Sequence, residues 1–130
     1  MTPSRRDWKA HSIHGVFLRF IVAENRNHQG QALHDWLLLK ARELGIHGGS
    51  AYRGIAGYGR HGILHEERFF ELSGELPVEV RFVCQQDEAY RLLDVIEEAE
   101  LSVFYVIGPT LYGVAGAPKE EWSKVLPPMF

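Results

Sequence analysis

The order in which the hydrophobic pattern changes its period constrains the fold of this chain more than any other feature. Apolar side chains first alternate, as in a strand, and then recur at helical spacing, and the change happens twice along the chain. The predicted elements are a strand at residues 16–23, a helix at 31–44, strands at 50–56 and 77–83, a helix from about Asp87 and a strand at 101–107. Because each helix has a single apolar stripe, both are expected to cover one face of a single sheet.

This order of elements predicts an α+β fold, namely the ferredoxin-like βαββαβ arrangement with an antiparallel four-stranded sheet. The second face of that sheet keeps apolar side chains, among them Phe17, Ile21 and Val83. Since a soluble protein rarely leaves such a face open, we expect a second copy of the chain to cover it. The length of 130 residues suits one domain. We divide the chain into a flexible N-terminal arm (1–14), the domain (15–107) and a C-terminal extension (108–130).

Charge and cysteine content narrow the class of protein. A formal charge of −3 and a pI near 6.1 provide no general attraction to nucleic acid or to a membrane. The chain has one cysteine, Cys84, which excludes an internal disulfide and fits a reducing compartment. Cys84 lies in a strand pattern and is expected to be a buried small side chain. The apolar segment 16–23 is interrupted by Arg19 and is too short to span a bilayer, so we expect a cytoplasmic protein.

Residues 57–62, GYGRHG, match the pattern G-x-G-x-x-G in the loop after the second predicted strand. A dinucleotide-binding fold needs a helix directly after these glycines and an acidic residue about 20 positions further on. Here the next firm element is a strand that begins near Pro77, which argues against that fold. Two interpretations stay open: a hinge whose backbone N–H groups converge on an anion, or a turn with a structural role only.

Basic side chains and histidines are concentrated on or near this loop. Arginine guanidinium groups match the oxygens of phosphates and carboxylates, so the group predicts an anion pocket, unless Glu66 and Glu67 neutralise the arginines. His61 and His65 are four residues apart and, with Glu66, could hold a transition metal, although no second cluster completes a tetrahedral set. The side chains concerned are Arg53, Arg60, His61, His65 and Arg68.

Signals for catalysis are weak. The sequence has no nucleophile elbow, and Cys84 has no neighbouring histidine or arginine in sequence to lower its pKa. We therefore predict a protein that is not an enzyme, although triad partners can come from anywhere in a sequence.

The segment 51–83 resembles domain-of-unknown-function family 190 (DUF190), a group of small PII-like proteins. The resemblance is carried by RGIAGYG (53–59), by His65, by Leu72-Ser73 and by LPVEVRFV (76–83). Upstream, Glu24, Gly30 and ARELGIHGG (41–49) are also similar to the family. The similarity extends over roughly residues 15–107.

The resemblance implies a PII-like homotrimer with a regulatory or signalling role and no required cofactor. It implies a small anionic effector, with an adenine nucleotide as the candidate, bound in clefts between subunits and gated by the loop after the second strand. The loop tip would meet a membrane transporter or another protein. The predicted ligand-binding residues are Glu24, Arg53, Gly57, Tyr58, Gly59 and Arg60. The alternatives are a metal-binding trimer of the same fold, similar to metal-tolerance proteins and using His61 and His65, and a small enzyme.

Overall fold

A computed structural model describes residues 7–57 and 76–125 of the chain. The elements within these ranges, in chain order, are α1 (Trp8–His11), β1 (Ile13–Ala23), β2 (Asn27–His28), β3 (Gln31–Ala32), α2 (Leu33–Glu43), β4 (Gly49–Arg53), β5 (Pro77–Cys84), α3 (Gln86–Glu98), β6 (Phe104–Tyr112), a 3-10 turn (Lys119–Glu121) and α4 (Trp122–Val125).

The four long strands form one sheet in the spatial order β4-β5-β1-β6, and every neighbouring pair is antiparallel. The short strands β2 and β3 form a separate hairpin. Counting only the strands of the large sheet, the spatial order is second, third, first, fourth, which is the ferredoxin-like topology. The predicted α+β class and the antiparallel four-stranded sheet are confirmed.

The core lies between one face of the sheet and the two long helices. Phe20 and Phe82, on the adjacent central strands, meet edge to face with ring centroids 6.3 Å apart. Trp36 of α2 and Leu92 of α3 close the core from the helix side. Cys84 is buried, as predicted. The core residues of the two central strands alternate strictly along the chain and are Val16, Leu18, Phe20, Val22, Val78, Val80, Phe82 and Cys84.

Both long helices end in the same capping geometry. After α2, Gly45 has a φ of 86°, and the N–H of the buried Ile46 donates to Ala41 O at 3.0 Å. After α3, Glu100 takes the left-handed conformation with a φ of 58°, and the Leu101 N–H donates to Ile96 O at 3.2 Å. The glycine makes the first end readable in the sequence, whereas the second end has no such mark. Within residues 7–57 and 76–125, no helix is long and apolar enough to cross a membrane.

The predicted start of the first helix was wrong. Gln31 and Ala32 belong to the β2-β3 hairpin, and α2 begins only at Leu33. The hairpin ends where the Leu33 N–H donates to Arg26 O at 2.8 Å. A two-residue strand is too short to show an alternating pattern, so the sequence does not distinguish it from the first turn of a helix.

The ends of two strands were also predicted wrongly. The second strand of the large sheet ends at Arg53 rather than at residue 56, and the fourth runs over Phe104–Tyr112 rather than 101–107. The fourth strand continues because β1 begins already at Ile13, which pairs with Tyr112. β6 tolerates Pro109 because it is an edge strand and needs hydrogen bonds on one side only.

Both ends of the described chain pack together beside the sheet. The His11 ring meets Trp8 edge to face at 5.8 Å and Trp122 at 6.0 Å between centroids. β1 and β6 cross the positions 14/15 and 107/108 at which we divided the chain. The three-part division stays a prediction.

Candidate functional site

The segment between β4 and β5 leaves and rejoins the sheet at neighbouring positions, which we call the loop mouth. The Gly54 N–H donates to Pro77 O at 2.7 Å, and the Glu24 N–H donates to Leu76 O at 2.9 Å. Leu76 and Pro77, where the chain re-enters the sheet, are thus hydrogen-bonded to residues just beyond the ends of β1 and β4. Both described ends of the segment are therefore held in place by the sheet.

The close approach of the two chain segments at the loop mouth explains Gly54, which lies just before the glycine motif. A Cβ at Gly54 would lie 2.8 Å from Pro77 Cγ and 3.3 Å from Pro77 O. A Cβ at Gly57 would lie 3.9 Å from Pro77 Cγ, which is an ordinary contact. Gly54 is therefore required by packing, whereas Gly57 is not required by any close neighbour in the described chain.

Glu24 and Arg53 meet across the mouth. An Arg53 Nη2 N–H donates to Glu24 Oε1, although the strand β5 lies between the two strands that carry these residues. The Arg53 side chain is still 64% exposed, and that of Glu24 is 25% exposed. The carboxylate orients the guanidinium and uses few of its five N–H donors, so the remaining donors are open to an anionic ligand.

Exposed apolar side chains surround the same end of the sheet. Ile55, two residues beyond the end of β4, is 89% exposed. Phe104, at the start of β6, is 63% exposed and is the partner of Ile21 in the ladder. The strand predicted at residues 50–56 includes Ile55, so its exposure contradicts that prediction. The available signal was a lone β-branched residue between Gly54 and Ala56, where burial in a regular strand is disfavoured.

The open face of the sheet carries a network of charged side chains near its centre. The Glu79 carboxylate accepts from Arg19 Nη1 at 3.1 Å and from Arg81 Nη2 at 3.3 Å. The Arg81 guanidinium also stacks on Tyr52, with 4.4 Å from Cζ to the ring centroid. Strand register creates this network, because Arg19 pairs with Arg81 and Tyr52 pairs with Glu79. No local sequence pattern marks these residues as partners.

The network shifts the acidity of its members. The hydrogen bond from Arg81 is the largest cause that holds the pKa of Glu79 below its ordinary value of 4.5, and the charges of Arg81 and Arg19 act in the same direction. The hydrogen bond to Glu79 raises the pKa of Arg81 in turn. Glu79 and Arg81 are therefore both charged at neutral pH.

The chain matches the model of a known protein family. The model of DUF190, described as an uncharacterised ACR, matches residues 15–106. The chain belongs to the DUF190 family. This DUF190 chain is 31% identical over 80 residues to a UPF0166 protein of Aquifex aeolicus (strain VF5), covering 62% of the chain and 76% of the relative. It is 29% identical over 86 residues to a UPF0166 protein of Methanocaldococcus jannaschii, covering 66% and 79%.

Solved structures similar to this DUF190 chain are PII-like proteins. A putative PII-like signalling protein from Thermus thermophilus aligns with a TM-score of 0.53 at 12% identity, over 78% of this chain and 90% of the other. CPII, a nitrogen regulatory PII-like protein from Thiomonas intermedia K12 solved with ADP, AMP and bicarbonate, aligns with a TM-score of 0.53 at 15% identity, over 79% and 97%. At these identities the similarity shows that the fold is PII-like.

The structure brings together part of the predicted ligand-binding set. Glu24 and Arg53 are in contact, and Gly57 lies four residues beyond the end of β4. Their role in binding stays a prediction. The rest of the predicted site lies outside the described residues, namely Tyr58, Gly59, Arg60, His61, His65 and Arg68. Among residues 7–57 and 76–125, no group of three or more His, Cys, Asp and Glu side chains is arranged to hold a metal ion. The metal hypothesis on His61 and His65 therefore stays untested.

Proposed function

We propose that this DUF190 protein is a PII-like regulator that binds an adenine nucleotide at the mouth of the loop after β4. The observation that carries the proposal is Arg53, an exposed guanidinium at the root of the loop, oriented by Glu24. An arginine held in this way can bind a phosphate group in bidentate fashion at low cost in side-chain entropy. The ADP and AMP in the CPII structures support this class of effector.

In this proposal the site is completed by a neighbouring subunit of a homotrimer. The open sheet face supports assembly, because it combines a charged network with apolar side chains. Ile21 and Phe104 are exposed in the single chain, and Phe17, Val83 and Val106 are only partly buried. Ile55 would contact either the neighbour or a protein target, such as a membrane transporter. Tyr58, Gly59 and Arg60 would close over the nucleotide from the loop. The proposal assigns no reaction to the protein, needs no cofactor and places the protein in the cytoplasm.

The test is calorimetric titration of the full chain with AMP, ADP and ATP. We expect Arg53→Ala to weaken binding of the preferred nucleotide by about 10- to 100-fold, because a hydrogen bond to a charged group contributes about 1.5–3 kcal/mol. Arg42→Ala is the matched control, since Arg42 is an exposed arginine in the last turn of α2. If Arg53→Ala and Arg42→Ala bind the nucleotide equally well, the site does not lie at the loop mouth.

A further inference from the structure

The network of Arg19, Glu79 and Arg81 on the open face has more guanidinium groups than carboxylates. Arg19 and Arg81 lie directly opposite each other in the β1-β5 ladder, on the same face of the sheet. Glu79 is the only acidic residue in the four described strands of the sheet, and its carboxylate contacts both guanidinium groups. Each chain therefore brings to this face one guanidinium group for which these strands supply no second carboxylate.

Both arginines are held in position and keep N–H donors unused. Arg19 donates to Glu79 from Nη1 at 3.1 Å, whereas its Nε is buried and has no hydrogen-bond partner among the described residues. Arg81 donates to the same carboxylate from Nη2 at 3.3 Å, and its guanidinium packs on the Tyr52 ring. The two arginine side chains are 39% and 41% exposed in the single chain. Since a guanidinium has five N–H groups, the pair retains donors for a further acceptor.

Apolar residues surround the network, so a surface that covers them covers the network too. Arg19 pairs with Val106 on one side, and Glu79 pairs with Ile21. The pair of Arg19 and Arg81 is the fourth of eight in the ladder of the two central strands, which puts it at the middle of the face. Removing an arginine side chain from water without an anion beside it is strongly unfavourable. Burial of this face therefore requires a further negative group.

Identical copies do not supply that negative group from the same face. This step rests on the homotrimer proposed above. Every copy brings the same two guanidinium groups and one carboxylate, so symmetry keeps the ratio unchanged. Three sheets that turn the same face inward surround the threefold axis, and the middle of each face then lies nearest to that axis. The three networks therefore converge around the axis, where their excess of guanidinium groups adds up.

We propose that the trimer binds one small oxyanion, of the phosphate or sulfate type, on its threefold axis between the Arg19 and Arg81 side chains. Guanidinium forks match the oxygens of such an anion, and its several oxygens accept from more than one chain at once. The site is separate from the loop mouth, because Arg53 pairs with the core residue Val78 and so lies toward the opposite face of the sheet. The axial site is shared by three chains, whereas each chain has its own loop mouth.

The experiment counts the phosphate ions bound per chain, by equilibrium dialysis of the full chain with radiolabelled inorganic phosphate at constant ionic strength. Arg53→Ala is the starting protein, because loss of Arg53 weakens anion binding at the loop mouth. We expect one phosphate per three chains, displaced by sulfate and not by an equal concentration of chloride. A trimer that binds no phosphate would overturn the axial site and leave the nucleotide proposal standing, whereas a single-chain mass in light scattering would overturn both.

Variants of the network in the same background locate the ion. Arg19→Gln leaves one guanidinium group per carboxylate and is expected to weaken phosphate binding about tenfold or more. Arg19→Lys is the matched control, because it keeps the positive charge and is expected to bind phosphate more tightly than Arg19→Gln. Glu79→Gln removes the carboxylate that competes with phosphate and is expected to tighten binding, a shift that a general loss of structure would not produce. Equal phosphate affinity in Arg19→Gln, Glu79→Gln and their parent would also overturn the axial site.

Discussion

Residues of the same type have different roles in this molecule because their partners differ. Arg81 is held by Glu79 and stacks on Tyr52, whereas Arg53 meets Glu24 and remains 64% exposed. The first arginine supports the sheet face and the second is open to a ligand. In the sequence both arginines lie in predicted strands, and no local feature distinguishes their roles. Only strand register showed which carboxylate each one meets.

Cys84 supplies a prediction at this scale. Burial and the charges of Glu88 and Asp87 raise its thiol pKa from 9.0 to about 11, so at pH 8 the folded protein holds about a hundredfold less thiolate. We expect iodoacetamide to alkylate Cys84 at least about a hundredfold more slowly in the native protein than in urea, because the thiolate is the nucleophile. Mass spectrometry over time gives the two rates.

The same measurement on Glu88→Gln separates charge from burial. Removing the Glu88 charge lowers the thiol pKa, so the native alkylation rate is expected to rise while the rate in urea stays the same. Equal rates for native and unfolded wild-type protein at pH 8 would contradict the burial of Cys84 and its raised pKa.

At the scale of elements, the sequence predicted periodic segments well and their ends less well. β5 begins at Pro77 as predicted, because its alternation is strict and its proline marks the start. β6 extends to Tyr112 only because Ile13–Gly15 of β1 supply partners for its last residues. A strand ends where its neighbour ends, and the neighbour is distant in sequence.

The glycine at the loop mouth is testable at this scale. Gly54→Ala would place a Cβ 2.8 Å from Pro77 Cγ, beside the hydrogen bond that joins β4 to β5. We expect the substitution to lower the free energy of unfolding by about 1–3 kcal/mol, as overpacking usually does. Urea denaturation followed by circular dichroism measures the change.

Gly57→Ala is the matched control for this prediction. Its Cβ would lie 3.9 Å from the same Pro77 Cγ, so a substitution there should change stability little or raise it slightly. If Gly54→Ala is as stable as wild type, the close approach at the mouth is not a constraint on this sequence.

At the scale of the whole molecule, one sheet face forms the core with the helices and the other stays open in the single chain. The open face holds two guanidinium groups and one carboxylate at Arg19, Glu79 and Arg81, surrounded by apolar side chains. Such a face suits burial against identical copies, since each copy brings both apolar area and a fixed polar pattern.

The expected assembly is a trimer, with a mass three times the 14.8 kDa of the chain in light scattering after size exclusion. Ile21→Lys places a charge on the open face and is expected to shift the mass toward that of a single chain. Leu39→Lys is the control, because Leu39 of α2 is 38% exposed and Ile21 is 39% exposed, but Leu39 lies on a helix. A wild-type mass of one chain would contradict both the trimer and the intersubunit site.

The sequence by itself determined the class of fold, the core and the family, because hydrophobic periodicity and the segments RGIAGYG and LPVEVRFV are local in the chain. It also pointed to Glu24 and Arg53. Only the tertiary structure decided that these two residues meet, that Glu79 bridges two arginines, and that Ile13 and Trp122 line one cavity beside Cys84. The reason is physical: these contacts join residues far apart in sequence, and strand register and helix packing bring them together.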